Sequence, residues 1–177
     1  MPKASSNGPR TEVNYWLFKS EPVSKGGRSS YSIEVLKKDK VSPWDGVRNY
    51  EARNHMKNMK VGDLGFFYHS NSKPSGIVGI VKIVKEAYPD YTALDPKSNY
   101  YDPKSKEDSP RWFMVDVEYV RHLNDVIPLD DLKEQKELKD MQLIARSRLS
   151  VSAVGKKHWD HILSMEPETK NDDDEKK

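Results

Sequence analysis

The sequence predicts a mixed α+β domain dominated by strands: a small curved sheet or open barrel with helices plugging its flanks. Three observations carry that expectation. Several apolar runs alternate with period two or are apolar on both faces, as strands are. Segments with helical spacing are short and fewer than the strand-like ones. The two kinds do not alternate in the βα manner of a doubly wound parallel sheet.

From the N-terminus, residues 14–19 (NYWLFK) read as a first strand, halted by Pro22 and the Gly26-Gly27 pair. Residues 32–39 (SIEVLKKD) read as a short helix, with Ser30 or Ser32 as N-cap and Ile33 and Leu36 on one face. WDGVRNYEARNH, residues 44–55, reads as a helix start that continues to Met59, with Asn49 and Arg53 on a shared helix face. Val61-Gly62-Asp63 turns the chain into a strand over 64–68. Residues 75–86 (SGIVGIVKIVKE) form the clearest strand, with Ile77, Val81 and Ile83 on one face and Val78, Ile80 and Val84 on the other. Gly79 inside it signals a bend or a close approach. Residues 111–120 alternate Val115, Val117 and Tyr119 against Asp116 and Glu118, a strand with one wet face. Residues 128–138 read as helical, 143–151 as mixed, and 155–165 as a closing helix with His158, Trp159 and Ile162 toward the core.

At 177 residues the chain suits one domain with a tail at each end. Only 35% of residues are hydrophobic and 33% are charged. The apolar deficit concentrates in residues 1–13, a polar insert around 96–110, and the tail after about residue 165. The expected organisation is a disordered N-terminal tail over 1–13, one domain over 14–165, and a disordered acidic tail over 166–177. With no cysteine, the chain has no disulfide, no thiolate zinc site and no cysteine nucleophile, which fits a reducing compartment. No apolar run approaches the roughly 20 residues of a membrane span, and no signal-peptide core opens the sequence, so a cytosolic or nuclear protein without a membrane partner is expected. The net charge is +2; the acidic tail contributes −3 and residues 1–13 contribute +1, leaving about +4 on the body. That balance permits a polyanionic partner without resembling a protein that coats nucleic acid.

Four segments carry more polar specificity than packing requires. Lys19-Ser20-Glu21-Pro22 follows an apolar strand, and Pro22 fixes the chain direction there, so Ser20 presents its groups from a rigid position. In WDGVRNYEARNH, Trp44 and Arg suit stacking on planar ligands, and Asn49 carries a donor and an acceptor side by side, as reading a base edge requires. A polar surface helix with Trp44 as a core plug is the plainer alternative. In FFYHSN, Phe66 and Tyr68 share one face while Phe67 and His69 share the other, and His69-Ser70-Asn71 is also ordinary loop chemistry. In RSRLSV, two arginines flank a serine, a pattern that suits phosphate and is also common on surfaces.

Together, WLFKSEP, WDGVRNYEARN, FFYHSN, GIVGIVKIVKEAYPD and RLSV resemble the EVE domain family of the PUA-like superfamily, in order and over about residues 14–165. The resemblance implies a PUA-like pseudo-barrel of about five to six mixed strands flanked by short helices. It implies a monomeric, non-catalytic, nuclear reader of a modified nucleobase, 5-methyl- or 5-hydroxymethylcytosine in DNA, with a cytoplasmic location and RNA as the alternatives. The same resemblance implies a base pocket of Lys19, Ser20, Pro22, Trp44, Val47, Asn49, His69, Ser70, Asn71, Arg148 and Ser150. Arg48, Arg53 and Arg146 would hold phosphates. Residues 1–13 carry only Lys3 and Arg10 as basic groups, so nuclear location rests on the resemblance.

In that reading Trp44 stacks on an extruded base and Asn49 reads its edge. Extrusion costs a few kcal/mol, and stacking returns about 1–3 kcal/mol per base. A small-molecule or protein-interaction module using the same pocket is the alternative. A hydrolase-like trio of Ser20 or Ser70 with His69 and Asp63 or Asp95 is a further one, although no G-x-S-x-G elbow occurs. No H-E-x-x-H spacing occurs, and His55 and His69 stand apart from other ligands, so no metal and no cofactor are expected.

Overall fold

The computed structural model describes residues 12–23 and 30–169. Its strands are β1 (Tyr15–Ser20), β2 (Val41–Pro43), β3 (Leu64–His69), β4 (Gly76–Pro89), β5 (Phe113–Pro128) and β6 (Val151–Val154). Its helices are α1 (Ile33–Asp39), α2 (Tyr50–Asn58), α3 (Leu129–Lys133), α4 (Gln142–Ala145) and α5 (Lys156–Ser164). All six strands join one mixed sheet in the order β2-β5-β4-β3-β1-β6, in which only β1 and β3 pair in parallel. The end strands β2 and β6 do not pair with each other, so the sheet is an open pseudo-barrel and not a closed one.

Period-two alternation gives this sheet two apolar faces. β1 sends Trp16 and Phe18 to one side and Leu17 to the other; β3 sends Phe67 to the first side, and Phe66 and Tyr68 to the second. The first face is covered by Ile33 and Leu36 of α1 with Ala52 and Met56 of α2. The second is covered by Leu132, Leu143, Trp159 and Ile162 from α3, α4 and α5. There Trp159 stacks on Phe66 at 3.9 Å between ring centroids and on Tyr15 at 4.5 Å. The turn before β3 is tied to β1 by buried Asp63, which accepts hydrogen bonds from Trp16 Nε1 (3.0 Å), Asn14 N (3.1 Å) and Lys60 N (3.0 Å).

Several expectations are corrected by particular local causes. The helix starts within WDGVRNYEARNH as expected, at Tyr50, but Asn49, expected on a helix face with Arg53, is its N-cap, with extended backbone and Oδ1 accepting from Ala52 N at 2.9 Å. Asparagine is a strong N-cap because its side chain supplies the acceptor that the first turn lacks. In β4 the phase differs: Val78, Val81 and Ile83 face the first core, whereas Ile77 and Ile80 face the second. Register shifts between Ile77 and Gly79 and between Ile80 and Val81 insert bulges that change which residues share a face. β5 runs on to Pro128, with Leu123 and Ile127 in the second core behind polar neighbours that concealed the strand. β2 is a three-residue edge strand, too short for periodicity and containing the proline an edge tolerates. Residues 128–138 divide into α3 and a single 3₁₀ turn, Lys136–Leu138, and residues 143–151 lead from α4 into β6. Ser32 is the cap of α1, its hydroxyl accepting from Val35 N.

The Gly26-Gly27 pair and most of both expected tails lie outside the described residues. Glu166, placed in the acidic tail by its sequence position, accepts two hydrogen bonds from Arg121, at 2.8 and 2.9 Å, and one from Asn124 N at 2.7 Å.

Gly79 occupies a bulge under α1. A Cβ there would lie 2.0 Å from Ile33 Cδ1 and 2.7 Å from the Arg121 carbonyl oxygen. The isoleucine can rotate, but the carbonyl belongs to the β4–β5 ladder. Gly79→Ala should therefore cost about 1–3 kcal/mol, the range typical of overpacking. Urea denaturation should show a lower midpoint at unchanged slope; an unmoved midpoint would contradict this packing.

Candidate functional site

A cleft of about 820 Å³ opens where the end of β1, the loop before α2 and the segment after β4 meet. Lys19 and Ser20 come from β1, Tyr31 from the approach to α1, and Trp44, Asp45, Gly46, Val47 and Asn49 from the loop. Asn99, Tyr100 and Ser150 complete much of the wall.

The loop keeps its shape through Asp90, directly after β4, whose side chain is fully buried. Its carboxylate accepts from Gly46 N at 2.8 Å, Arg48 Nη1 at 3.0 Å and Thr92 N at 2.9 Å. Arg48 also donates to the carbonyls of Val47 and Tyr100 and to Thr92 Oγ1, and its guanidinium lies 5.6 Å from the Tyr100 ring centre and 5.5 Å from that of Trp112. Removing one member of such a pair leaves a buried charge uncompensated, a cost on the order of 3 kcal/mol or more. Gly46 is required twice over: its φ is +77°, and a Cβ would sit 2.6 Å from Tyr100 Cζ.

Trp44 is only 9% exposed. Its ring meets Phe18 (5.1 Å) and Phe67 (5.6 Å) edge to face, and its backbone N–H donates to Val115 O at 2.7 Å. The open stacking platform expected of Trp44 is thus a wall set largely into the first core. More accessible aromatic surface comes from Tyr31 and Tyr100, both half-buried on the cleft wall. Neither was singled out from sequence, although Tyr100 and Tyr101 are the two aromatics of an otherwise polar insert. Asn49 has its Oδ1 committed to Ala52 N, which leaves Nδ2 as the donor end of its amide on the wall. The Ser20 hydroxyl donates to Tyr31 O. Lys19 Nζ donates to Ser147 O at 2.7 Å, and burial lowers its pKa below the ordinary lysine value. Asp45 was also passed over; burial, and then the nearby Asp90 charge, push its carboxyl above the usual range.

A smaller cavity of about 320 Å³ adjoins Asn49 and is bounded by Arg146, Ser147, Arg148 and Leu149. Arg146 pairs with Glu51, and Arg148 is exposed.

The cleft wall therefore gathers Lys19, Ser20, Trp44, Val47, Asn49 and Ser150 of the residues expected there, with Arg148 in the adjoining cavity. Pro22, His69, Ser70 and Asn71 are not among its lining residues. The last three brace the segment behind it. His69 Nε2 accepts from Ile33 N at 3.1 Å and so caps α1, Ser70 N donates to Ser20 O at 2.9 Å, and Asn71 Nδ2 donates to Glu21 Oε1 at 2.6 Å. Arg48 and Arg53 are braces as well: Arg53 donates to Arg111 O at 2.9 Å and lies 4.8 Å from the Tyr50 ring centre. The hydrolase-like trio is not assembled, since His69 Nε2 serves Ile33, Asp63 serves Trp16, and the Ser20 proton goes to a carbonyl. Among the described residues no group of three or more His, Asp or Glu could hold a metal ion, and no helix is long and apolar enough to cross a membrane.

The domain is thus an open mixed sheet carrying an aromatic-walled cleft lined with hydrogen-bonding groups. The chain belongs to the EVE domain family, which it matches over residues 14–165. It is 50% identical to thymocyte nuclear protein 1 of Mus musculus over 173 residues, covering 90% of this chain and 76% of that protein. Identity to the Homo sapiens protein of the same name is 46% over 176 residues, covering 92% and 78%. Among solved structures, human THYN1 protein in complex with 5-methylcytosine-containing DNA superposes with a TM-score of 0.85 at 46% identity, covering 88% of this chain and 99% of that one. A hypothetical protein from Leishmania major superposes at 0.81 and 47% identity, covering 87% and 94%.

Burial lowers the His69 pKa below the ordinary 6.5, and its role as acceptor for Ile33 N requires an unprotonated Nε2. The folded state thus binds this proton less readily than the unfolded chain does. Its stabilising effect is complete above the unfolded pKa and is lost as pH falls below it. His55, also lowered by burial, acts in the same direction. The unfolding free energy should fall as pH drops below the ordinary histidine value of 6.5, and His69→Gln should flatten that fall in part. Parallel pH profiles for wild type and variant, followed by denaturant titration, would show that His69 does not cap α1.

Proposed function

We propose that this chain is a non-catalytic reader that captures one modified cytosine of DNA, 5-methyl- or 5-hydroxymethylcytosine, extruded from the duplex into the cleft. The observation that carries the reading is the cleft itself: aromatic walls beside hydrogen-bonding groups held rigid by Asp90 and Arg48. It is supported by the likeness to a relative crystallised with 5-methylcytosine-containing DNA. Extrusion costs a few kcal/mol, and stacking returns about 1–3 kcal/mol per base. The stacking surface is Tyr100 or Tyr31 set against the exposed part of Trp44. A buried methyl contributes only about 0.8 kcal/mol, so polar complementarity must supply most of the selectivity. Arg148 and Arg146, at the adjoining cavity, hold the flanking phosphate, an interaction that salt weakens. The name of the curated relatives supports a nuclear location.

The test is a binding panel of oligonucleotides, DNA and RNA, differing only in the modification of one cytosine, at two salt concentrations. Modified DNA should bind tightest. Tyr100→Ala should weaken it by about tenfold, and Arg148→Ala should reduce the salt slope by about one. Equal affinity across the panel would sink the reading.

A further inference from the structure

A methyl-reading cleft meets a competitor that every DNA supplies in excess. Thymine carries the same methyl at C5 on the same six-membered ring as 5-methylcytosine. The two bases differ only along their polar edge. 5-Methylcytosine offers an N4 amino donor and an N3 acceptor where thymine offers an O4 acceptor and an N3–H donor. Stacking and methyl burial hold both alike, so a cleft that selects the modified cytosine needs a fixed acceptor facing position 4, a fixed donor facing N3, or both.

The wall carries few such groups. The Ser150 hydroxyl turns to suit either base, because it can donate or accept, and the Ser20 and Ser42 hydroxyls give their protons to the carbonyls of Tyr31 and Pro43, which leaves each only a neutral lone pair. The carboxylate of Glu21 already receives the Asn71 amide at 2.6 Å. Asp45 is different. It is exposed on the cleft wall and forms no ion pair and no hydrogen bond to another residue among those described; its carboxylate accepts its own backbone N–H and feels the charges of Asp90 and Arg48. It sits between Trp44 and Gly46, in the stretch that Asp90 pins through the Gly46 N–H, so its backbone is held while its side chain remains uncommitted. Four residues on in the same loop, Asn49 has its oxygen fixed by Ala52 N and presents a donor. An acceptor and a donor on one wall match the N4 amino group and the N3 or O2 acceptors of cytosine. Against thymine the acceptor faces O4, two lone pairs in opposition.

We infer that Asp45 is the residue that distinguishes a methylated cytosine from thymine, accepting a hydrogen bond from the exocyclic amino group while Asn49 Nδ2 donates to the ring. The inference rests on the base-capture reading and names the specificity determinant within it.

The test measures equilibrium binding of the full chain to duplexes that differ at one position, holding 5-methylcytosine, cytosine or thymine opposite an abasic site. With no pairing partner, the cost of extrusion is nearly the same for each base. Wild type should prefer 5-methylcytosine to thymine by at least about tenfold. Asp45→Asn, whose amide can turn a donor toward O4, should bring that ratio close to one. Asp45→Ala should lose affinity for 5-methylcytosine without gaining thymine. Both variants should melt as wild type does, because the carboxylate anchors nothing; failure of both to fold would overturn the inference. An unchanged ratio in both variants, alongside a wild-type preference for 5-methylcytosine over cytosine, would overturn the role of Asp45 and leave base capture standing. Failure of wild type to bind the 5-methylcytosine duplex would bring down base capture itself.

Discussion

The buried carboxylate of Asp90 is the constraint on which the cleft depends. It takes a backbone N–H from Gly46, a guanidinium from Arg48 and a backbone N–H from Thr92, and so ties the loop before α2 to the segment after β4. Without that tie, residues 44–48 would have no regular structure to hold them, since α2 begins only at Tyr50. The same arginine reaches the Tyr100 carbonyl and lies over its ring, so one cation positions both the aromatic wall and the loop opposite it. A preorganised wall matters energetically: groups already held in place lose little freedom when a ligand arrives.

The sheet supplies the rigidity behind this arrangement. Both faces of β1 and β3 are buried, and the parallel β1–β3 pair brings Ser20 beside His69 at the strand ends. Trp44 bridges core and cleft, packed against Phe18 and Phe67 yet keeping a small exposed part on the wall. That dual position explains why a large aromatic sits among polar residues in WDGVRNYEARNH. Most of the ring stabilises the fold, and the remainder is surface on which a planar ligand can rest.

Much of this was legible in the sequence, and what was not had physical causes. Strands with two apolar faces, the Ser32 cap and the closing helix follow from periodicity and capping chemistry. The phase of β4 was hidden because bulges change the face without changing composition. Lys19, Trp44, Val47 and Asn49 came together as a wall, whereas His69, Ser70 and Asn71 are adjacent in sequence to the right strand end yet turn their hydrogen bonds to Ile33, Ser20 and Glu21. Arg48 looked like a phosphate ligand because its partner Asp90 lies 42 positions away, a separation that no local pattern reveals. Tyr100 and Asp45 escaped for the same reason: a polar insert folding back over a glycine is a tertiary event.

Base extrusion is the central claim, and it can be watched directly. 2-Aminopurine placed next to a single 5-methylcytosine in a duplex gains fluorescence when its stacked neighbour leaves the helix. Capture in the cleft predicts a saturable rise on adding the protein, absent with an otherwise identical unmethylated duplex. Saturating binding of the methylated duplex with no change in fluorescence would contradict it.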